Sequence, residues 1–329
     1  MPDTRYPTKK TMKILLAPME GVVDSYLRDI LTNIGGYDLC VTEFVRVVDQ
    51  PLPPKVFSRF CTELETGGKT TAGTPVIIQL LGANPDAMAE NAARAVALGT
   101  PGIDLNFGCP AKCVNKRNGG SFLLQDPQRM FDIISAVKTA VDDAIPVSAK
   151  IRLGFENTDL TLDIARAVEE AGANYVTVHA RTKADGYKHP VRWEWLAKVN
   201  DVLSIPMIAN GDINSIDDYR RCTEISGCEN VMIGRGAVAR PDLARQIRDF
   251  QNNETSSTLT WKDVLILLIK MSNDMTTDVK TKYIVSRTKQ WLAMLKREYP
   301  DAGNCFSEIR TMKNYQDVKK ALNSQLSSL

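Results

Sequence analysis

The sequence has few of the features that mark metal-binding or disulfide-rich secreted proteins. Only two of its 329 residues are histidines, His179 and His189, and Cys109 and Cys113 form the one cysteine pair with the short spacing of metal ligands. Because no second pair follows, we expect no zinc or iron–sulfur site. The seven cysteines are an odd, scattered set, which indicates reduced thiols in a cytoplasmic protein.

Long apolar runs are also missing. No stretch approaches the roughly 20 apolar residues that a membrane-spanning helix needs, so no membrane contact is expected. The apolar run at residues 14–17 stops at Pro18 and is too short for the apolar region of a signal peptide. We interpret residues 1–11, which are polar, as a flexible tail.

Positive and negative side chains are nearly equal in number, but the two signs are unevenly distributed along the chain. Residues 251–329 contain 12 Lys+Arg and 8 Asp+Glu, a net charge of +4, whereas residues 1–250 contain 29 and 31, a net charge of −2. If the protein binds an anionic polymer, the C-terminal part is the better candidate to hold it.

Short apolar or β-branched runs alternate with helical patterns over most of the chain. Eight such runs occur, at residues 14–17, 38–44, 76–80, 103–106, 147–151, 175–179, 206–210 and 231–233. Continuous apolar strands that alternate with helices predict an α/β fold with a parallel sheet covered on both faces. Eight units match a (β/α)8 TIM barrel of about 250 residues. A doubly wound sheet is the alternative, but it usually has fewer strands and a glycine-rich first turn, which this sequence lacks.

Polar residues and glycines follow every predicted strand, at the end where a barrel carries its active site. They include Glu20, Arg46, Gln79, Cys109, Lys150, His179, Asn210 with Gly211, and Gly234 with Arg235. A single polar residue at a strand end is often only a cap or a turn, but here all eight ends carry one. The glycines after the last two strands would let backbone N–H groups approach a phosphate, although either alone could be an ordinary turn glycine.

The segment Asp104-Leu-Asn-Phe-Gly-Cys-Pro-Ala-Lys-Cys113 is the most informative of these ends. Gly108 and Pro110 flank Cys109 and restrict its backbone to a defined turn. A cysteine on a rigid loop at the C-terminal end of a strand is well placed for chemistry in a pocket. A buried structural thiol is the alternative, and it is the commoner fate of a free cysteine.

After residue 250 the pattern changes to helices without strands. A polar linker at residues 251–258 precedes predicted helices at 261–271, 279–297 and 313–322. We predict a smaller C-terminal helical-bundle domain over residues 251–329. Lys282, Lys289 and Lys296 are seven residues apart, so they share one stripe along a helix. Such a stripe is usually a solvated face, but beside a catalytic pocket it would bind a phosphate backbone.

These motifs resemble those of the tRNA-dihydrouridine synthases, and most closely the bacterial subfamily C. The likeness runs from about residue 12 to the end of the basic helix, and TEFVRV at 42–47 points to the subfamily. The matching stretches are LLAPMEGVVDS (15–25), DLCVTEFVRVVDQ (38–50), IQLLG (78–82), IDLNFGCP (103–110), KIRLG (150–154), VHARTKADGY (178–187), IPMIANGDI (205–213), VMIGRGA (231–237) and KQWL (289–292).

The resemblance implies an FMN-binding TIM-barrel catalytic domain at residues 12–250 and a tRNA-binding helical domain at 251–329, in a protein that acts as a monomer without a metal. It implies Cys109 as the catalytic acid. The implied cofactor-binding residues are Pro18, Met19, Glu20, Gln79, Lys150, His179, Asn210, Gly211, Asp212, Gly234 and Arg235. The implied tRNA-binding residues are Arg46, Asn106, Arg181, Lys282, Arg287 and Lys289.

The implied reaction reduces the C5–C6 double bond of uridine 16 in the tRNA D-loop. NADPH reduces FMN, the flavin transfers hydride to C6, and Cys109 gives a proton to C5. A thiol with a pKa of about 8.5 is mostly protonated at pH 7, as a proton donor requires.

Three other functions stay open at this point. The same reaction could occur at another uridine. A flavin barrel acting on a small molecule, like dihydroorotate dehydrogenase, would have no use for the basic helices. A flavin-free RNA-binding barrel would have no use for the intact set of strand-end residues.

Overall fold

The structure of the protein, a computed structural model, describes residues 13–115, 118–276 and 279–329. The tail expected at residues 1–11 lies outside these ranges. The strands are Ile14–Leu16 (β1), Leu39–Val41 (β2), Val45–Arg46 (β3), Val76–Leu81 (β4), Ile103–Asn106 (β5), Val147–Arg152 (β6), Tyr175–His179 (β7), Met207–Asn210 (β8) and Val231–Ile233 (β9).

Helices follow the strands and then continue alone to the C-terminus. They are Ser25–Ile34 (α1), Pro54–Phe60 (α2), Pro85–Ala97 (α3), Lys112–Asn115 (α4), Pro127–Ala140 (α5), Thr161–Glu170 (α6), Trp193–Val202 (α7), Ile216–Ser226 (α8), Arg235–Ala239 (α9), Leu243–Gln251 (α10), Trp261–Asp274 (α11), Thr281–Leu295 (α12), Pro300–Ile309 (α13) and Tyr315–Ser327 (α14). Two short 3-10 helices, Thr62–Thr66 and Gly120–Gln125, lie in loops.

Eight parallel strands close into a barrel. β1 pairs with β2 on one side and with β9 on the other, and the remaining strands connect β2 through β4, β5, β6, β7 and β8 to β9. The predicted (β/α)8 TIM barrel is therefore confirmed. The short strand β3 lies outside this ring and extends the rim by pairing with the end of β4.

The barrel interior changes from apolar to polar along its axis. Strand residues alternate between the two faces of the sheet. Its lower part is filled by a small apolar cluster that includes Leu15, Ile77 and Ile208. Toward the C-terminal ends of the strands, Gln79 and Lys150 take the inward positions instead. The barrel interior is thus apolar in its lower part and polar near the C-terminal ends of the strands.

Four helices, α11 to α14, follow the barrel, where the sequence predicted three. The additional helix α13 begins with Pro300 and contains Gly303 and Ser307, which are weak helix formers. It is stabilised by packing, because its buried face includes Ala302, Cys305 and Ile309 in the same core as the other helices. Local propensity alone therefore could not reveal it.

Arg287 connects α12 to the loop that follows β1. Its guanidinium is 3% exposed, donates to a carboxylate oxygen of Asp24 at 2.9 Å and to the carbonyl of Gly21 at 3.2 Å, and also donates to the carbonyl of Val22. Asp24 in turn caps the first turn of α1. These partners argue against the RNA-backbone role that the resemblance implies for Arg287, because its donors face the barrel rather than the surface.

The buried Arg287 contact generates a stability prediction. Arg287→Met would leave Asp24 and two carbonyls without their partner, so we expect a loss of about 3–5 kcal/mol in the free energy of unfolding. Lys282→Met, at an exposed position of the same helix, is the control and should change stability by less than about 0.5 kcal/mol. Urea unfolding measures both. Equal stability of the two variants would show that the contact does not hold the helices to the barrel.

Candidate active site

A cavity of about 500 Å³ opens among the C-terminal ends of the barrel strands. This volume lies within the roughly 300–1,000 Å³ of sites for small-molecule ligands. The structure brings all of the predicted cofactor residues together here, with Cys109 and Asn106. The predicted residues that line the cavity are Pro18, Met19, Glu20, Gln79, Asn106, Cys109, Lys150, His179, Asn210, Gly211, Asp212, Gly234 and Arg235.

The other predicted residues lie elsewhere. Arg46 lines a second cavity, beside the loop after β4. Arg181 is fully buried and donates to the carbonyl of Lys188 at 2.7 Å, which argues against a direct contact with tRNA. Lys282 is exposed on α12, whereas Lys289 Nζ donates to the carbonyls of Arg310 (2.9 Å) and Met312 and so helps to hold the end of α13.

The backbone of Cys109 is held on both sides. Asn106 Oδ1 accepts the N–H groups of Gly108 (3.0 Å) and Cys109 (2.9 Å), and Ser121 Oγ donates to the carbonyl of Cys109 at 2.8 Å. The sequence expectation of a rigid loop agrees with these contacts. The loop therefore keeps the thiol at one place on the cavity wall.

Cys109 also differs from the other thiols by its exposure. Of the cysteines whose side chains the structure describes, Cys109 alone is partly exposed, and the rest are buried. Burial raises the pKa of Cys61 and of Cys222 to about 12, so those thiols stay protonated and out of reach. The side chain of Cys113, whose role the sequence left open, lies outside the described residues.

Lys150 is a half-buried lysine that lines the cavity. Its Nζ donates to Asn210 Oδ1 at 2.9 Å, and Asn210 Nδ2 donates to the carbonyl of Met232 at 2.8 Å. Burial, helped by the nearby charge of Arg152, lowers the pKa of Lys150 to about 8, although Asp104 opposes the change. The ammonium is thus charged at pH 7 but loses its proton easily.

His179 lies among several cations. Burial, together with the charges of Arg152, Lys150, Arg181 and Arg235, lowers its pKa well below the usual 6.5. The imidazole is therefore neutral at pH 7 and can either donate or accept a hydrogen bond. The surplus of positive charge around it favours an anionic ligand.

Asp212 is the carboxylate that organises two of these arginines. It accepts hydrogen bonds from Arg181 and, at 2.9 Å, from Arg235, and His189 Nδ1 lies 3.2 Å away. Burial raises the pKa of Asp212, but the hydrogen bond and charge of Arg181 and the charge of Arg235 outweigh it and hold the pKa below its usual value. Asp212 therefore stays ionised and aims Arg235 at the cavity, rather than itself being a ligand for an anion.

The cavity wall also contains residues that were not predicted as site residues, among them Arg152, Tyr187, Glu43 and Met294. The guanidinium carbon of Arg152 lies 5.3 Å from the centre of the Tyr187 ring, and that of Arg235 lies 5.0 Å from the same centre. Arg152 belongs to the motif KIRLG and Tyr187 to the motif VHARTKADGY, so these two motifs were the available signal. Met294 belongs to α12, so its position in the cavity wall could not be predicted without knowing how the C-terminal helices pack on the barrel.

The fold and the site define a class: a parallel (β/α)8 barrel with a cationic ligand cavity and with the partly exposed thiol of Cys109 at its C-terminal rim. The model of the dihydrouridine synthase (Dus) family matches residues 15–327. The chain belongs to that family.

Similar proteins extend over nearly the whole chain. A tRNA-dihydrouridine(16) synthase of Pseudomonas putida is 48% identical over 94% of this chain and 96% of its own length. One of Shewanella oneidensis is 50% identical over 94% and 97%, and one of Vibrio parahaemolyticus is 48% identical over 96% and 100%. The match thus covers nearly the whole length of this chain and of these relatives.

Solved structures with low sequence identity share the fold. A 2-naphthoyl-CoA reductase complex has a TM-score of 0.55 at 13% identity, covering 74% of this chain and 50% of that one. The old yellow enzyme homologue of Zymomonas mobilis has a TM-score of 0.50 at 11% identity, covering 76% and 91%. At these identities the likeness shows the barrel fold alone.

The described residues contain neither a cluster of metal-ligand side chains nor a helix suited to a membrane. Within residues 13–115, 118–276 and 279–329, no group of three or more His, Cys, Asp or Glu side chains is arranged to hold a metal ion. In the same part of the chain, no helix combines the length and the apolar character that a membrane crossing requires.

The lowered pKa of Lys150 generates a pH prediction for the ligand-free protein. In the unfolded chain this lysine has a pKa near 10.5, so between about pH 8 and pH 10.5 the unfolded state binds a proton that the folded state has released. The free energy of unfolding should therefore gain a contribution as pH rises through this window, by about 2–3 kcal/mol.

Lys150→Met should remove this contribution, whereas Lys320→Met, at an exposed position of α14, should keep it. Urea unfolding at pH 7.5, 9 and 10.5 measures the slope. The same slope in Lys150→Met as in the wild-type protein would contradict the assignment of the slope to Lys150.

Proposed function

We propose that the protein is a tRNA-dihydrouridine(16) synthase that binds FMN, uses NADPH as reductant and acts on uridine 16 of the tRNA D-loop in the cytoplasm. The observation that carries the proposal is the partly exposed Cys109 on its rigid loop, at the edge of a cationic cavity. The relatives that bear this name match the chain over at least 94% of its length. The barrel at residues 12–250 would perform the chemistry, and the helices at 251–329 would bind tRNA.

The residues of the cavity fit FMN in charge and in space. Lys150 and Arg235 supply cations for its phosphate and polar edge. Gly211 and Gly234 leave room for the ligand at the backbone. A Cβ at Gly211 would lie 3.1 Å from His179 Cδ2, a tight contact, whereas a Cβ at Gly234 would lie 3.6 Å from Met19 Sδ, an ordinary one, in space where the ligand can lie instead. Backbone N–H groups without side chains between them and the ligand suit a phosphate.

The other proposed cofactor contacts come from residues at the C-terminal ends of the strands. Pro18, Met19 and Glu20 would lie against the ring system, and Gln79 would bond its polar edge. His179 and Asn210 would bind the ribityl chain, and Asp212 would hold Arg235 toward the phosphate. Bound FMN, once reduced by NADPH, would supply a hydride to C6 of the uracil.

Cys109 would give the proton to C5, so that the C5–C6 double bond gains one hydride and one proton. A proton donor must be protonated and fixed in place. Asn106 meets the second need, because its Oδ1 accepts the N–H of Cys109 at 2.9 Å. Asn106 Nδ2 donates to Gln79 at 2.7 Å, which leaves its second N–H for the base.

The base must leave its stack to enter the cavity. Tyr187 lines the cavity, is 56% exposed and contacts the guanidinium groups of Arg152 and Arg235. An exposed aromatic ring offers a stacking surface for a base that has left the RNA, worth about 1–3 kcal/mol per base. The exposed part of the Tyr187 ring would therefore receive the uracil, while Arg152, which is 2% exposed and donates to the carbonyls of Gly108 and Thr182, would hold the ring in place.

The catalytic role of Cys109 is tested by its removal. With FMN, NADPH and tRNA, Cys109→Ala should bind flavin and tRNA as the wild-type protein does, but its rate of dihydrouridine formation should fall by about 100-fold or more, since general acids contribute about 10²–10⁴. Cys222→Ala, at a buried position of α8, is the control and should keep the rate within about threefold. Full turnover by Cys109→Ala would remove the acid from the proposal.

The basic face of α12 generates a binding prediction. Lys282→Gln should weaken tRNA binding for all tRNA species and reduce the slope of log affinity against log salt by about 1, because one phosphate contact is lost. Lys289→Gln should weaken binding as well but also destabilise the fold, since Lys289 holds the end of α13. Lys320→Gln, on α14, is the control. Fluorescence anisotropy at several salt concentrations measures the slope, and an unchanged slope in Lys282→Gln would place that lysine away from the RNA.

A further inference from the structure

A row of polar side chains crosses three strands just below the cavity. Gln79 on β4, Asp104 on β5 and Ser148 on β6 are register partners. Asp104 is 1% exposed, and its two oxygens accept one hydrogen bond from Gln79 Nε2 and one from Ser148 Oγ, each at 2.6 Å. Burying a carboxylate costs free energy unless its oxygens accept hydrogen bonds, so the bonds from Gln79 and Ser148 offset the cost of burying Asp104.

The row continues into the loop that carries the thiol. Asn106 Nδ2 donates to Gln79 Oε1 at 2.7 Å. Asn106 Oδ1 accepts the N–H groups of Gly108 and Cys109. An unbroken chain of hydrogen bonds therefore runs from Asp104 in the barrel interior to the backbone of Cys109.

The hydrogen bonds of this row all run in one direction, and the carboxylate of Asp104 sets that direction. An ionised carboxylate only accepts hydrogen bonds, so Gln79 must turn its NH₂ end to Asp104 and its oxygen to Asn106. Asn106 must then turn its own NH₂ end to Gln79, which leaves its oxygen for the backbone N–H groups of the loop. Burial raises the pKa of Asp104 to about 6, against the hydrogen bonds from Gln79 and Ser148 and the charge of Lys150, so the group is mostly ionised at pH 7.

We infer that Asp104 is a positioning residue: it sets the orientation of the Gln79 and Asn106 amides, and Asn106 thereby holds the loop of Cys109 in place. Asp104 does not line the cavity and touches no reacting atom, so it acts through its neighbours. The effect on turnover rests on the proposed function. The effect on the loop does not, because it concerns the backbone of Gly108 and Cys109 alone.

Two variants separate orientation from charge. Asp104→Ala removes the acceptor, so both amides can turn over. Asp104→Asn removes the charge but can still offer an oxygen to Gln79 and its NH₂ to the hydroxyl of Ser148. Gln79→Met interrupts the same row of hydrogen bonds, one residue nearer to the loop of Cys109. It replaces Asp104→Ala in the test if Asp104→Ala does not fold. Ser148→Ala is the control, because it leaves the bonds from Asp104 to Cys109 intact.

The first readout is hydrogen exchange of the Gly108 and Cys109 amides in the flavin-free protein. We expect it to speed up about tenfold or more in Asp104→Ala and Gln79→Met, and to stay within about threefold in Asp104→Asn and Ser148→Ala. The second readout is turnover with tRNA. In Asp104→Ala, kcat should fall about tenfold or more while KM for tRNA changes less than about threefold, since a misplaced acid slows chemistry rather than binding. In Asp104→Asn, kcat should stay within about threefold of the wild-type value.

Two results would overturn the inference. One is unchanged exchange and unchanged kcat in Asp104→Ala with only a lower melting temperature, which would make the row a packing feature. The other is an Asp104→Asn variant as impaired as Asp104→Ala, which would assign the effect to the charge and not to orientation. Failure of the proposed function is distinguishable, because it would appear as a wild-type protein that makes no dihydrouridine while the exchange readout still answers the question.

Discussion

The closure of the parallel barrel is the constraint on which the rest of the structure depends. β1 joins the two ends of the sheet, with Leu16 in register with Cys40 on one side and with Ile233 on the other. Because every strand is parallel, closure places all of their C-terminal ends on one rim. Residues as distant in the chain as Met19 and Arg235 therefore share a single cavity.

The rim brings four cationic side chains close together, with Asp212 and Asp104 as nearby carboxylates. Arg152, Lys150, Arg181 and Arg235 all depress the protonation of His179, whereas Asp212 pairs with only two of these cations. Cations held close together in a buried site repel one another, and an anion at the same place relieves that repulsion. An anionic ligand at the rim would reduce this repulsion, which favours the proposed binding of FMN.

The helices after the barrel contribute to the site as well as to the surface. Arg287 holds the loop after β1, whose Met19 and Glu20 line the cavity, and Met294 of the same helix is part of the wall. Residues of α12 therefore contribute directly to the cavity wall and to the loop that forms part of it.

Periodicity predicted the barrel, and the strand ends together with the family resemblance predicted many of the residues that line the cavity, because these features depend on local sequence. The buried position of Arg287 and the helix α13 could not be predicted, since both depend on packing between distant segments. The most direct test of the central claim is the dihydrouridine content of tRNA, mapped by position, in cells with and without this gene. In cells without the gene we expect dihydrouridine to be lost at position 16 alone. Unchanged dihydrouridine at every position would contradict the proposed function.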